Sequence, residues 1–293
     1  VRVDFAGAWT DCAPFYEPFG GATLNAAIDR FVTGQISTGK DAAIDANDGL
    51  TVTYSTDIPA GSGLGTSATL NVVWLSLAKG QPLKTRADRE AIAASAYDIE
   101  KVLGIIGGKQ DQYASAVGGI NLFEFQSEGV TTHPVSISQD KVRELESLLV
   151  LCYTGKSRLS SNIHQNVWGN FRAGKREVVD ALFTLRDSAY RGKEILEAGD
   201  WDSFGPLLTQ QFDCMKKLDA STSNEIVDSI FRLVESEVSG GKPCGAGGGG
   251  CLLFCAKDEQ RKAKVASLIR DAGYRIIDFH FEFGGLQVEI AGS

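Results

Sequence analysis

The sequence predicts an α+β fold in two domains, 1–155 and 156–293, on three observations. Up to Tyr153, strand-like and helix-like stretches alternate in short order. From there, three or four long helical patterns follow one another. The run from Gly240 to Gly250 then opens directly into an apolar strand, Cys251 to Ala256. The length agrees, since 293 residues suffice for one large or two medium domains, each with its own core.

Taken in order, Val1 to Gly7 alternates as a strand and Ala8 to Pro14 breaks it into a loop. Gly20 to Ile28 enters a strand or a short helix, Phe31 to Thr38 is strand-like, and Asp41 to Leu50 reads as a polar hairpin loop before the strand Thr51 to Ser55. Thr66 to Lys79 is helical, with Leu70, Val73, Trp74 and Leu77 spaced for one buried face. After the Gly80-Gln81-Pro82 break, Arg86 to Leu103 forms a helix with Ala87, Ile92, Ala96, Ile99 and Leu103 near one stripe. Paired glycines at 107–108 and 118–119 bracket a short helix, and Ile120 to Phe125 alternates as a strand. Leu148 to Tyr153 is a short apolar strand, after which Thr154 to Ser157 turns into a helix beginning near Arg158. The long helical patterns are Ser160 to Phe171, Lys175 to Ala198, Trp201 to Leu218 and Asn224 to Val238. The tail reads as a helix near Asp258 to Ala272 and strands Tyr274 to Phe283 and Leu286 to Ala291.

Composition narrows the function classes. Hydrophobic residues make up 43% and charged residues 23%, as in soluble globular proteins. A net charge of −8 argues against a broad nucleic-acid surface but permits a local anion site built from backbone N–H groups. No apolar run approaches membrane-spanning length, and the first residues do not read as a signal peptide. Val1 already lies inside an apparent strand, so a short segment is expected to precede it. Six scattered cysteines without disulfide or zinc spacing fit a reducing cytoplasm. Cys251 and Cys255, about 13 Å apart at strand rise, are expected to be core thiols.

The most informative stretch is Pro59 to Ala68, which joins a strand to a helix. Gly61, Gly63 and Gly65 alternate with Ser62 and Leu64, so the backbone can turn tightly and approach a ligand. The following helix N-terminus offers unpaired N–H groups to a phosphate. The P-loop lysine is missing; Thr66 and Ser67 instead place two hydroxyls where one can bond a phosphate oxygen and the other a magnesium ion. A glycine-rich turn with a hydroxyl cap accounts for the same residues, and the partners elsewhere in the chain decide between the two.

Four further stretches supply those partners. Thr10 and Asp11, beside Trp9 at a strand end, suit sugar hydroxyls and a flat C–H face; a turn with an Asp cap is the alternative. Glu100 lies at a helix C-terminus, where the dipole disfavours an acid and a cation would explain it. Asp111 projects from the first turn of the helix after Gly107-Gly108, where it either stabilises the helix start or faces a ligand. The glycine density from Gly240 to Gly250 points to close approach of backbone to a ligand or to another loop.

In order and spacing, these stretches resemble the GHMP kinases, the family of galactokinase, homoserine kinase and mevalonate kinase. Arg2 to Asp11 resembles the first family motif, Pro59 to Ala68 the second and Gly245 to Gly250 the third, so the likeness covers nearly the whole chain. Gly107 to Tyr113 and Asn25 resemble kinases of D-glycero-D-manno-heptose 7-phosphate, whereas Trp9-Thr10-Asp11 and Lys216-Lys217-Leu218 resemble L-fucokinases. Ala8 departs from both, which usually have glycine there. The resemblance implies an ATP- and magnesium-dependent kinase of a sugar hydroxyl, the anomeric one, with its site in a cleft between the domains. It implies Gly61 to Ser67 as the ATP cradle, Ser67 and Glu100 as magnesium ligands, and Asp111 as the catalytic aspartate. Arg2 would keep Asp111 ionised and stabilise the transferred phosphoryl charge. Thr10, Asp11, Gly108, Gly247 and Gly248 would line the sugar site. Two other readings stay open: a kinase of a non-sugar alcohol, and a relative that binds sugar and nucleotide without turnover. A dinucleotide-binding oxidoreductase lacks its glycine spacing here.

Overall fold

The computed structural model describes residues 1–39, 49–105, 107–156 and 161–290. β1 (Arg2–Ala6) leads through a turn into the short helix α1 (Ala13–Phe19) and then β2 (Gly21–Ala27). A hairpin of β3 (Val32–Gly39) and β4 (Gly49–Thr56) precedes α2 (Thr66–Lys79), α3 (Arg86–Val102) and α4 (Gln110–Val117). After β5 (Ile120–Gln126) and β6 (Gly129–Pro134) come α5 (Gln139–Leu148) and β7 (Leu149–Tyr153). Helices α6 (Ser161–Arg172), α7 (Arg176–Ala198), α8 (Trp201–Leu218) and α9 (Glu225–Val234) follow. A short 3-10 turn (Ala220–Thr222) precedes α9, and β8 (Val238–Pro243), β9 (Cys251–Ala256), α10 (Glu259–Asp271) and β10 (Arg275–Ile276) follow it among the described residues.

Two antiparallel four-stranded sheets organise the chain, in the orders β1-β2-β5-β6 and β10-β7-β9-β8. Along β5 the side chains alternate between two buried faces, not one. Ile120 and Leu122 join Phe5, Leu24, Leu151 and Leu253 in a core shared by both sheets, whereas Phe123 and Phe125 pack with Val72, Ile92, Ala96 and Ala114 of α2, α3 and α4. The far side of the second sheet packs against α6 to α10 through Trp168, Leu182, Met215, Val227 and Ile269. All six cysteines are free and buried, and burial lifts the Cys152 and Cys244 thiols to about 12, as inert core groups require.

Several expectations need correction. The buried stripe of α2 is Thr69, Val72, Val73 and Ser76, while Leu70 and Trp74 stay exposed, because small side chains on the inner face let α2 lie close to β3, α3 and α4. On α3 the stripe runs Ile92, Ala93, Ala96, Tyr97 and ends on Glu100; Ile99 and Leu103 are exposed. Gly240 and Gly241 belong to β8, paired with Cys255 and Phe254, so the glycine loop proper starts after Pro243. The two tail strands reduce to Arg275–Ile276 and one bridge between Ile28 and Phe281. Three elements that the pattern does not announce are α1, β6 and α5: α1 is seven residues long with two prolines, and β6 has little apolar material. The strand β7 precedes the expected division after residue 155, yet it lies in the second sheet, which therefore begins earlier in the chain. The expected loop from Asp41 to Leu50 falls largely outside the described residues.

Candidate active site

Gly61, Gly63 and Gly65 all take left-handed φ, 69°, 77° and 75°, and Gly65 caps α2. The loop thereby curls around the exposed first turn of α2, where Ser67 faces outward. Ser62 is buried and braces the curl from inside, its hydroxyl accepting from Leu64 N at 3.3 Å and its carbonyl from Cys251 N at 2.7 Å. The third motif packs directly on the second: a Cβ on Gly63 would lie 2.5 Å from the Cys244 carbonyl oxygen. The expectation of close backbone approach holds here.

A cavity of about 320 Å³ opens in front of this loop. Of the predicted residues it brings together Arg2, Asp11, Gly61, Ser62, Gly63, Gly65, Thr66, Ser67, Glu100, Gly108, Asp111 and Gly247. Three are placed elsewhere. Leu64 is fully buried in the core, and its carbonyl anchors Arg2 N at 3.1 Å. Thr10 directs its hydroxyl to the Gly7 and Ala22 carbonyls, at 2.8 and 2.9 Å, and accepts from Ala22 N, which ties the loop to β2 instead of facing a ligand. Gly248 is turned toward Thr222 and Asn224, with which it exchanges bonds of 2.6 and 2.9 Å. A larger hollow of about 630 Å³ between α7 and α8 contains none of the predicted site residues, although Lys217 of the fucokinase-like stretch lines it.

Asp111, in the first turn of α4, meets Arg2 through a single oxygen: Nε donates to Oδ1 at 2.8 Å, and Nη2 forms an ion pair with the same Oδ1 at 2.6 Å. The second oxygen, Oδ2, lies beside Gly65 at the mouth of the cradle. Burial works against the charge on Arg2, but the Asp111 and Asp4 carboxylates outweigh it and hold its pKa above the ordinary arginine range.

Asp11 is buried, and its Oδ2 accepts from Gln110 N at 3.0 Å. Burial pushes its pKa up to about 6 against that bond. Next to it Trp9 is the one non-glycine residue with left-handed φ, 82°, among the described residues, a strain of about 1–3 kcal/mol that clusters at ligand sites. The indole packs against His164 of α6, ring centroids 4.5 Å apart and planes tilted by 38°, and both rings line the cavity. Burial lowers His164 to about 4, so this wall is a neutral aromatic one near pH 7.

Glu100 accepts from Asn71 Nδ2 at 2.6 Å and from Gln112 Nε2 at 2.8 Å, and among the described residues no cation pairs with it. Burial raises its pKa above the usual carboxylate range. Asn71 stands one turn beyond Ser67 on α2, about 6 Å along the axis, so the carboxylate and the hydroxyl share one rim of the cavity. A buried acid without a cation, beside hydroxyls on a phosphate cradle, is a donor set of hard oxygens that fits magnesium.

Sequence reasoning missed Asp4, which binds the same Arg2 guanidinium, and His164, which lines the cavity. An acid within the apolar strand Val1 to Ala6 is the signal that could have found Asp4.

The sequence pattern of the GHMP kinases N terminal domain matches residues 30–119, and that of the GHMP kinases C terminal domain matches 193–275. The D-glycero-alpha-D-manno-heptose 7-phosphate kinase of Campylobacter jejuni is 33% identical over 238 residues, 80% of this chain and 69% of that protein. The chain belongs to the GHMP kinases. This makes it a phosphotransferase, and the family implies ATP as phosphoryl donor. The bifunctional fucokinase/GDP-fucose pyrophosphorylase of Arabidopsis thaliana is 26% identical over 326 residues, 92% of this chain; the match spans only 30% of that longer protein. The GHMP fold is seen also in the crystal structure of a D-glycero-D-manno-heptose 1-phosphate kinase from Bacteriodes thetaiotaomicron, with a TM-score of 0.76, 24% identity, and 99% and 98% of the two chains covered. Among the described residues, no helix of this GHMP kinase is long and apolar enough to cross a membrane.

Proposed function

We propose that this GHMP kinase transfers the γ-phosphoryl group of ATP to the anomeric hydroxyl of a sugar related to heptose 7-phosphate or fucose, with magnesium, in the cytoplasm. The observation that carries the reading is the Asp111 carboxylate, held by Arg2 on Oδ1 and open at Oδ2 between the glycine cradle and Asp11. The names of the sequence relatives supply the substrate class.

In this reading Gly61, Ser62, Gly63, Gly65, Thr66 and Ser67 hold the triphosphate through backbone N–H groups and the α2 dipole, with Leu64 buried behind them as the loop's anchor. Asp11 orients the sugar through a hydroxyl, and the Trp9–His164 wall covers its apolar face. The sugar oxygen attacks the γ-phosphorus, the bond to the ADP oxygen breaks, and Asp111 Oδ2 receives the hydroxyl proton. Free aspartate, with a pKa of about 4, is a weak base for this, so positioning and charge stabilisation supply most of the acceleration. Arg2 fixes the carboxylate and adds positive charge beside the transferring group. Ser67 and Glu100 would hold the magnesium, which neutralises charge on the phosphates.

The test is ATP and magnesium with a panel of sugars, including L-fucose and D-glycero-D-manno-heptose 7-phosphate, followed by ADP release and product mapping by NMR. Phosphate on the anomeric oxygen of one sugar is the expected result. Silence across the panel with ATP still bound would shift the assignment to a non-sugar alcohol or a sensing role.

A further inference from the structure

Behind the catalytic pair lies a buried ion pair that does not line the cavity. Asp4 of β1 has no exposure and Lys242 of β8 only 1%. Lys242 Nζ donates to Asp4 Oδ2 and, at 2.9 Å, to the Asp4 carbonyl oxygen. Asp4 Oδ1 accepts from Gly245 N at 3.0 Å and from Arg2 Nη1 at 3.3 Å. The same Nη1 reaches the Gly63 carbonyl at 2.6 Å, while Nε and Nη2 of Arg2 face Asp111. Arg2 is therefore shared between two carboxylates. A buried carboxylate attracts a nearby cation strongly unless another charge balances it. Lys242 is that balance: two cations and two carboxylates leave the group neutral.

We infer that Lys242 is a positioning residue for phosphoryl transfer: by neutralising Asp4 it leaves Arg2 committed to Asp111. Through Gly245 and Gly63, the same joint keeps the second and third motifs in register. Neither Asp4 nor Lys242 lines the cavity, so both act through Arg2 and the glycine loops. The inference rests on Asp111 as the catalytic aspartate.

Lys242→Gln keeps a donor toward Asp4 and removes the charge. With Arg2 drawn toward Asp4, kcat is expected to fall about ten- to hundredfold, the scale of a misplacement near 1 Å, with KM for ATP and sugar within about twofold. Adding Asp4→Asn preserves an acceptor for Gly245 and Arg2 and offers an amide to the new glutamine, so neutrality returns. The double variant is expected to recover kcat to within about tenfold of wild type. An unchanged kcat in Lys242→Gln overturns the inference, and so does a loss that Asp4→Asn leaves in place although the melting temperature recovers. Should the single variant not fold, the double variant decides alone: kcat within about tenfold supports positioning, and a larger loss overturns the inference, because the lysine charge is then needed for something other than balancing Asp4. Full turnover in Asp111→Asn would instead defeat the catalytic reading. Lost turnover there, with Lys242→Gln intact, would defeat this inference alone.

Discussion

Gly108 and Asp11 are packed so closely that a Cβ on Gly108 would fall 1.8 Å from Asp11 Oδ2. That oxygen already accepts from Gln110 N, so it cannot give way without breaking the bond. Gly108→Ala is therefore expected to displace the carboxylate and raise KM for the sugar about tenfold, the equivalent of one hydrogen bond, while ATP affinity holds. Steady-state kinetics and an ATP titration check both halves; an unchanged sugar KM would remove Asp11 from the substrate site.

Asp11 gives the enzyme an acid limb. As pH falls through about 6, its buried carboxylate takes up a proton and loses an acceptor oxygen, so kcat/KM for the sugar should fall. Asp11→Asn should flatten that limb. Stability runs the other way: the folded carboxyl titrates near 6 and the unfolded one near its ordinary 3.8, so the folded state binds the proton first. Between those values the wild type should gain stability relative to Asp11→Asn as pH falls, and lose that gain as pH rises through 6. Paired melting curves across this range provide the measurement.

Asp111→Asn keeps an acceptor for Arg2 and removes the base. Turnover should drop by about two to four decades with ATP binding intact. Near-normal turnover would take Asp111 out of the mechanism.

Ser67→Ala and Glu100→Gln remove one hard oxygen donor each from the rim that fits magnesium. Each should shift the magnesium concentration for half-maximal rate upward, by about tenfold or more. Mg²⁺ titration of initial rates at saturating ATP is the readout, and an unchanged midpoint would undo the assignment.

What was legible in the sequence was local. Spacing places Trp201–Leu218 and Cys251–Ala256 on their observed bounds, and the strand-glycine-helix order around Thr66 comes out as expected. Apolar residues occupy two sides of α2 and of α3, and only the neighbours decide which side turns inward, so spacing alone does not identify the buried face. In the site, Asp111 and Glu100 could be singled out by helix position, but Thr10 could not be told from a ligand. Its hydroxyl is engaged with Gly7 and Ala22, and that pairing depends on how the loop folds back onto β2. Asp4 and Lys242 are 238 positions apart, so their pairing is tertiary information.

The segment after β10 has its own consequence. Ile277 N bonds to the Leu151 carbonyl in the second sheet, Glu282 N to that of Ala27 in the first, and Leu286 N to that of Ala116 in α4. On the way Phe281 sets its ring against Phe5 at 6.1 Å. The first sheet thus receives part of its hydrophobic closure from residues made long after its own strands. During translation Phe5 must wait for the segment around Phe281, so this sheet's core is completed only after that segment has been made.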